Sequence, residues 1–150
     1  MRREGTPVRI LAIDFGDRNI GLAVSDQLGL TAQPLGTYRL KALIQENKKY
    51  FQDLVNQHDI QEIVIGFPLR MDGSAGSRAE KTREFAAWLE KAVDRPIVFW
   101  DERLTTREAI QALRQQNVRR KRNKSYEDQV SAVIILAAYL ESRRSEFHVS

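Results

Sequence analysis

The sequence predicts an α/β fold in which helices cover both faces of a mixed five-stranded sheet. Three strand-like segments open the chain and indicate an antiparallel meander. Helical and strand-like segments then alternate, as in parallel β-α-β units with right-handed crossovers. The last helical segment is apolar on nearly every side, which indicates burial against the sheet. The chain has 150 residues, enough for a single domain, and we expect its core to span about residues 8–144.

The first two strands are predicted to form a hairpin. Residues 8–15 (VRILAIDF) are a largely apolar run that suits a central strand. Gly16 and Asp17 begin a turn, and residues 20–25 (IGLAVS) return beside the first strand. Residues 34–39 are expected to supply the third strand of the meander.

A helix is predicted next, because apolar residues between positions 40 and 57 recur at helical spacing. These apolar residues are Leu40, Leu43, Ile44, Phe51, Leu54 and Val55. The short apolar run at residues 62–66 (EIVIG) predicts a buried strand. Residues 67–76 contain one proline and two glycines and are predicted to form a loop.

A capping box at Ser77 and Glu80 predicts a second helix that extends to about residue 92. Its apolar face consists of Phe85, Trp88, Leu89 and Val93. Residues 96–100 (PIVFW) predict the fifth strand, which ends at the acidic pair Asp101 and Glu102. A second capping box, at Thr105 and Glu108, predicts a helix to about residue 115. Ser125 then opens the last helix, whose apolar body spans residues 130–140.

The residue types present limit the chemistry that the chain can perform. It has no cysteine, which excludes disulfides, thiolate zinc sites and cysteine nucleophiles. The two histidines, His58 and His148, are far apart in the sequence and argue against a histidine metal site or a Ser-His-Asp triad. Metal chemistry would therefore use carboxylates, which favour Mg²⁺ or Mn²⁺. No apolar run could span a bilayer and no signal-type segment opens the chain, so we expect a cytoplasmic protein without membrane contact.

The positive charge of the chain is concentrated in one segment. The net charge of +4 is weak evidence for nucleic-acid binding by itself. Residues 119–124, however, contain five cations in six positions, which are Arg119, Arg120, Lys121, Arg122 and Lys124. The segment could be a solvated loop, or it could be an arm that contacts the phosphates of a nucleic acid.

Two candidate metal ligands lie at the ends of apolar strands. Asp14 closes the first strand, where a buried carboxylate needs a partner, although it could instead cap the hairpin turn. Glu102 follows the fifth strand beside Asp101, and only one of the two can easily face Asp14 because successive strand residues point to opposite faces. The alternative is a surface acid pair that serves Arg103.

Asp128 is the third candidate ligand. It stands at the third position of the last helix, where it or Glu127 could simply favour the helix start. Together with Asp14 and Glu102 it supplies the set of carboxylates that a Mg²⁺ site in a nuclease requires. The basic segment that precedes Asp128 would bring a polyanion to this cluster.

Other polar groups have two interpretations each. Thr105 and Thr106 are interpreted mainly as a helix cap, since no histidine lies near them in the sequence. Arg103 could hold Asp101 or a substrate phosphate. The glycine-containing loop at residues 71–77 leads into a helix and could receive a phosphate or form a simple turn.

Four blocks of sequence resemble the YqgF (RuvX-type) family of Holliday-junction-resolvase-like proteins, also described as pre-16S rRNA nucleases. The blocks are residues 13–16 (IDFG) with 20–26 (IGLAVSD), 65–69 (IGFPL) with 71–74 (MDGS), 101–106 (DERLTT), and Asp128 with Ser131, Ala132 and residues 134–136. They occur in the family's order across roughly residues 8–140, and the third block together with the first hairpin is quite specific.

The resemblance implies an RNase H-like fold and a divalent-metal site formed by Asp14, Glu102 and Asp128. It implies a role in maturing the 5′ end of 16S rRNA, or in cleaving branched nucleic acid, with 5′-phosphate and 3′-hydroxyl products. Arg18 and Arg103 are candidate phosphate contacts in addition to the basic segment. The hairpin turn departs from the family, because Asp17 and Asn19 flank Arg18 where a small residue and two basic residues are usual.

Two alternative functions remain open at this point. The actin, Hsp70 and sugar-kinase superfamily also opens with a hairpin that holds phosphate and Mg²⁺, but its members clamp ATP between two such domains and this chain has room for one. A non-catalytic assembly factor could keep the fold and bind nucleic acid through the basic segment alone. We expect a pre-rRNA partner more than branched DNA, and either a monomer or a homodimer.

Overall fold

The computed structural model describes residues 8–105 and 124–148, without the side chains of residues 124–128 and 144–148. The strands are β1 (Ile10–Phe15), β2 (Ile20–Ser25), β3 (Ala32–Tyr38), β4 (Glu62–Phe67) and β5 (Ile97–Asp101). The helices are α1 (Ile44–Gln57), α2 (Ser77–Val93) and α3 (Lys124–His148), and a 3₁₀ turn spans Glu102–Leu104. The helix predicted to end near residue 115 and the basic residues 119–122 lie outside the described residues.

The five strands form one mixed sheet in the order β3-β2-β1-β4-β5. β2 is antiparallel to both β1 and β3, which is the predicted meander. β4 is parallel to both β1 and β5, so the carboxyl ends of these three strands lie at the same edge of the sheet. The predicted mixed sheet is therefore confirmed.

The sheet has an apolar core on each face, because side chains alternate along its central strand. Leu11 and Ile13 of β1 join the core that α1 and α2 cover, which includes Phe51 and Leu89. Ile10 and Ala12 join the core that α3 covers, where they meet Ala132, Val133, Ile135, Leu136 and Leu140. This arrangement confirms the burial predicted for the last helix. No helix within the described ranges is long and apolar enough to cross a membrane.

The start of α1 differs from the prediction. The helix begins at Ile44 rather than near Leu40, and Leu40, Leu43 and Ile44 are exposed instead of facing the core. Asn47 provides the reason, since its buried amide accepts a hydrogen bond from the Lys41 N–H (2.8 Å) and donates one to the Lys41 carbonyl (3.0 Å). These bonds hold the segment before the helix in a non-helical conformation.

The capping box predicted for α2 is wrong, although the helix does begin at Ser77. The N-cap is Gly76, whose carbonyl accepts the Glu80 N–H at 3.1 Å, and no side chain caps the helix. The Glu80 carboxylate pairs with Arg83 at 2.6 Å and does not turn back to the helix start. At the last helix, α3 begins at Lys124, so Ser125 is its second residue and not its N-cap.

Candidate active site

Asp14 and Glu102 line one open cleft of about 310 Å³ at the carboxyl edge of the sheet. Asp14 is near the end of β1, and Glu102 begins the 3₁₀ turn directly after β5. Because β1 and β5 run in the same direction on either side of β4, both residues reach the same edge. The remaining lining residues are Arg78, Thr105, Ser131, Ile134 and Ile135.

Gly66 of β4 makes room for the Glu102 carboxyl. A β-carbon built on Gly66 would lie 2.7 Å from Glu102 Oε1 and 2.6 Å from Ile135 Cδ1, closer than carbon atoms approach such neighbours. Glu102 and Ile135 therefore pack directly over the glycine backbone. This contact places a carboxylate beside the apolar side chain of Ile135, at the junction of β4, the 3₁₀ turn and α3.

The electrostatics of the cleft favour a bound cation. Burial raises the pKa of the Glu102 carboxyl, and the nearby Asp14 carboxylate raises this pKa further. Arg78 acts in the opposite direction and lowers the Glu102 pKa, but the net shift remains upward. The Asp14 carboxylate raises the proton affinity of Glu102 by repulsion, and a bound cation would relieve the same repulsion.

Asp101 differs from Glu102 in its surroundings. The Arg103 guanidinium donates from Nε to Oδ1 (3.0 Å) and from Nη2 to Oδ2 (2.7 Å) of Asp101. The Arg103 backbone N–H also donates to Oδ1 at 3.0 Å. These bonds, the side-chain bond first, hold the Asp101 pKa below its usual range. Of the two adjacent acids, it is Glu102 that lines the cleft.

The loop between β4 and α2 closes on itself. Asp72 Oδ1 accepts hydrogen bonds from the Ser74 N–H (2.9 Å) and hydroxyl (2.6 Å), and the Gly73 N–H donates to the Arg70 carbonyl (2.8 Å). Arg103 lies beside this loop, where its charge helps to lower the Asp72 pKa after the bonds from Ser74. The loop therefore forms a turn, closed by bonds between its own residues.

The structure describes the side chains of some of the other predicted site residues but not of the rest. Arg18 is exposed in the β1–β2 turn, and Thr105 accepts a hydrogen bond from Trp100 Nε1 at 3.4 Å. Asp128 and Lys124 belong to α3, but their side chains are outside the described part of the chain. Thr106, Arg119, Arg120, Lys121 and Arg122 are also outside it. Among the side chains that are described, no group of three or more His, Cys, Asp or Glu could hold a metal ion.

Three residues of this region were not predicted from the sequence. Gly66 did carry a signal, since a glycine inside an apolar strand often marks a close approach by another group. Ser131 belongs to the fourth block of the family resemblance, which gave it no role in the site. Arg78 carried no signal, because one arginine at the start of an amphipathic helix is indistinguishable from an ordinary surface cation.

The sequence of this chain is similar to the sequences of proteins named as nucleases and resolvases. A family model described as RuvX, Holliday junction resolvase, matches residues 8–142. A Koribacter versatilis protein named "Putative pre-16S rRNA nuclease" is 49% identical over 139 residues, covering 90% of this chain and 88% of its own. A Halalkalibacterium halodurans protein of the same name is 45% identical over 138 residues, covering 91% and 99%.

Solved structures with the same fold include Thermus thermophilus RuvC. RuvC in complex with a Holliday junction substrate has a TM-score of 0.57 and 14% identity, over 91% of this chain and 96% of RuvC. A second RuvC structure has a TM-score of 0.58 and 12% identity, over 92% and 97%. At such low identity the likeness concerns the fold alone, and it confirms the expected RNase H-like architecture.

Proposed function

Because this chain belongs to the RuvX family of Holliday junction resolvases, we propose that it is a metal-dependent endonuclease that acts on pre-16S rRNA. The observation that carries this proposal is the meeting of Asp14 and Glu102 in one cleft, from strands β1 and β5 that are not neighbours in the sheet. An open cleft at the sheet edge gives a long polymer access to both carboxylates.

Asp14, Glu102 and Asp128 would hold Mg²⁺ or Mn²⁺. Their oxygen donors suit these hard cations, and a cation would relieve the repulsion between Asp14 and Glu102 that adds to the raised pKa of Glu102. Asp128 precedes Ser131, a cleft-lining residue, by one turn of α3, and residues three apart share a helix face. When bound, divalent ions supply an activated water and stabilise the leaving oxygen of a phosphodiester.

The protein's own residues prepare this site in two ways. Gly66 leaves room for the Glu102 carboxyl to lie against the sheet. Ile134 and Ile135 supply an apolar wall, which strengthens electrostatic interactions in the cleft by excluding part of the water. The first effect places the Glu102 carboxyl in the cleft, and the second strengthens its attraction for a cation.

Pre-16S rRNA is the substrate that the names of the relatives favour over branched DNA. Its phosphates would be contacted by Arg18 and by the basic residues Arg119, Arg120, Lys121, Arg122 and Lys124. Arg103 uses Nε and Nη2 to hold Asp101, so it would contact a phosphate through Nη1. These contacts do not depend on the base sequence of the RNA, and they position its backbone.

Cleavage of two labelled substrates tests the proposal. We would incubate the protein with a pre-16S 5′-leader RNA and with a four-way DNA junction, each in Mg²⁺, Mn²⁺ or EDTA. We expect cleavage of the RNA that requires metal and that Asp14→Asn abolishes. Asp53→Asn is the matched control, because it neutralises an exposed acid of α1 outside the cleft and should retain cleavage. Metal-independent RNA binding without cleavage would instead support the non-catalytic assembly factor.

A further inference from the structure

Arg78 is a cation at the edge of the acidic cleft that the proposed mechanism does not use. It is the second residue of α2, it is exposed, and it lines the cleft with Asp14 and Glu102. Its positive charge lowers the Glu102 pKa, so the guanidinium is close enough to interact with that carboxylate. No ion pair with Arg78 is found among the described residues.

Helix stability does not explain an arginine at this position. The first turn of a helix carries a partial positive charge, so a cation there is unfavourable. The acid that could offset it on the same helix, Glu80, pairs with Arg83 instead. Arg78 therefore occupies a place that is electrostatically poor for α2 but favourable for the cleft.

We infer that Arg78 contacts the phosphate group on which the cleft acts, and so is a substrate-binding residue of this enzyme. The inference rests on the proposed nuclease function. A cleft that contains Asp14 and Glu102 repels a polyanion, and a guanidinium beside these carboxylates offsets that repulsion at the phosphate itself. A guanidinium also presents paired N–H donors that match two phosphate oxygens.

The test compares Arg78→Gln with Lys91→Gln. Both variants remove one positive charge from an exposed residue of α2, but Lys91 lies in the last turn, about 20 Å from Arg78 along the helix. For Arg78→Gln we expect kcat/KM on the pre-16S leader RNA in Mg²⁺ to fall about 10- to 100-fold. Lys91→Gln should stay close to wild type, and Arg78→Lys should recover part of the loss.

Two further measurements separate phosphate contact from other roles. In EDTA, the slope of log K against log salt for RNA binding should decrease by about 0.7 to 1 in Arg78→Gln and not in Lys91→Gln. Without RNA, Arg78→Gln should bind Mn²⁺ at least as tightly as wild type, because a competing cation is gone. A weaker Mn²⁺ affinity that accompanies the loss of cleavage would show action through the carboxylates and overturn the inference.

The outcomes also distinguish this inference from the proposed function. An unchanged salt slope in Arg78→Gln overturns the phosphate contact even when the wild-type protein cleaves RNA. A wild-type protein that binds the RNA but never cleaves it overturns the nuclease proposal. In that case the salt slope of Arg78→Gln against Lys91→Gln still decides whether Arg78 contacts phosphate.

Discussion

At Gly66, a single added methyl group would clash with two neighbouring side chains. An alanine there would place its β-carbon 2.7 Å from Glu102 Oε1 and 2.6 Å from Ile135 Cδ1. We predict that Gly66→Ala costs about 1–3 kcal/mol of stability, because the core must shift around the new atom. We also expect RNA cleavage to fall more than about tenfold, since a displaced Glu102 no longer faces Asp14 correctly. Urea unfolding and cleavage rates in Mg²⁺ measure the two effects.

The double variant Gly66→Ala, Ile135→Val separates these effects. Valine lacks the Cδ1 atom, so the clash inside the core disappears while the clash with the Glu102 carboxyl remains. Stability should therefore recover in part and cleavage should stay low. Wild-type cleavage by the double variant would mean that the position of Glu102 is unimportant.

The Glu102 carboxyl also sets a dependence of stability on pH. Burial and then Asp14 raise its pKa in the folded state, so the folded protein holds the proton more tightly than the unfolded chain. The stability associated with this proton is fully present below the unfolded pKa and is lost as pH rises through the raised folded pKa. Glutamine imitates the protonated form, so Glu102→Gln in EDTA should have a higher Tm than wild type at neutral pH. The two Tm values should converge in acid.

A divalent metal should make the wild-type Tm higher than that of Glu102→Gln. Mn²⁺ binds the folded wild-type protein and should raise its Tm as the concentration increases. The same titration should leave the Tm of Glu102→Gln nearly unchanged, because one ligand is missing. A Tm of Glu102→Gln below wild type in EDTA at neutral pH would contradict the predicted repulsion in the cleft.

At the scale of elements, a polar contact fastens α3 to the sheet. Glu62 of β4 is buried, and its carboxylate accepts hydrogen bonds from the Tyr139 hydroxyl and from Arg143 Nη1, the latter at 2.9 Å. We predict that Arg143→Met destabilises the protein by about 1–3 kcal/mol, because it leaves a buried carboxylate with fewer partners. Urea unfolding at neutral pH measures this loss.

Arg83→Met is the matched control for that element contact. Arg83 forms an exposed ion pair with Glu80 on α2, and exposed pairs contribute little. Its loss should cost less than about 1 kcal/mol. Equal costs for the two variants would mean that the Glu62 contact does not hold α3 in place.

At the scale of the whole molecule, the basic segment should govern RNA affinity. We predict that replacing Arg119, Arg120, Lys121, Arg122 and Lys124 by Gln weakens RNA binding uniformly across sequences. The slope of log K against log salt should decrease by about 3 to 4, given about 0.7 per single-strand phosphate contact. Binding at several salt concentrations measures this slope.

A control with the same loss of charge uses cations elsewhere on the surface. Five exposed lysines serve this purpose, which are Lys41, Lys48, Lys49, Lys81 and Lys91. Their replacement by Gln changes the net charge equally and should leave the salt slope largely intact. Equal slopes of log K against log salt for the two variants would mean that the basic segment does not contact RNA and is a solvated loop.

Most of the architecture could be predicted from local patterns. The alternation of Leu11 and Ile13 with Ile10 and Ala12 already indicates a strand with two buried faces, and β2 has the predicted bounds. The family resemblance was confirmed by the match over residues 8–142. The strand pattern depends on a period of two residues, which a stretch of sequence displays without its partners. The family resemblance depends instead on the four blocks of sequence.

The details of the helix starts could not be predicted in the same way. The start of α1 is decided by the bonds of the Asn47 amide to Lys41. α2 begins at Ser77 as predicted, but its N-cap is Gly76 and no side chain caps it. In both cases the local pattern allows more than one set of hydrogen bonds, and only the folded structure shows which set forms.

The sequence by itself determined the fold class, the family and the types of residue available for chemistry. Only the tertiary structure decided that Glu102 and not Asp101 lines the cleft with Asp14, over Gly66 and beside Arg78. The physical reason is that steric fit and electrostatic coupling act between atoms a few ångströms apart in space. Residues such as Asp14, Gly66 and Glu102 are far apart in the chain, and only the sheet brings them within that distance.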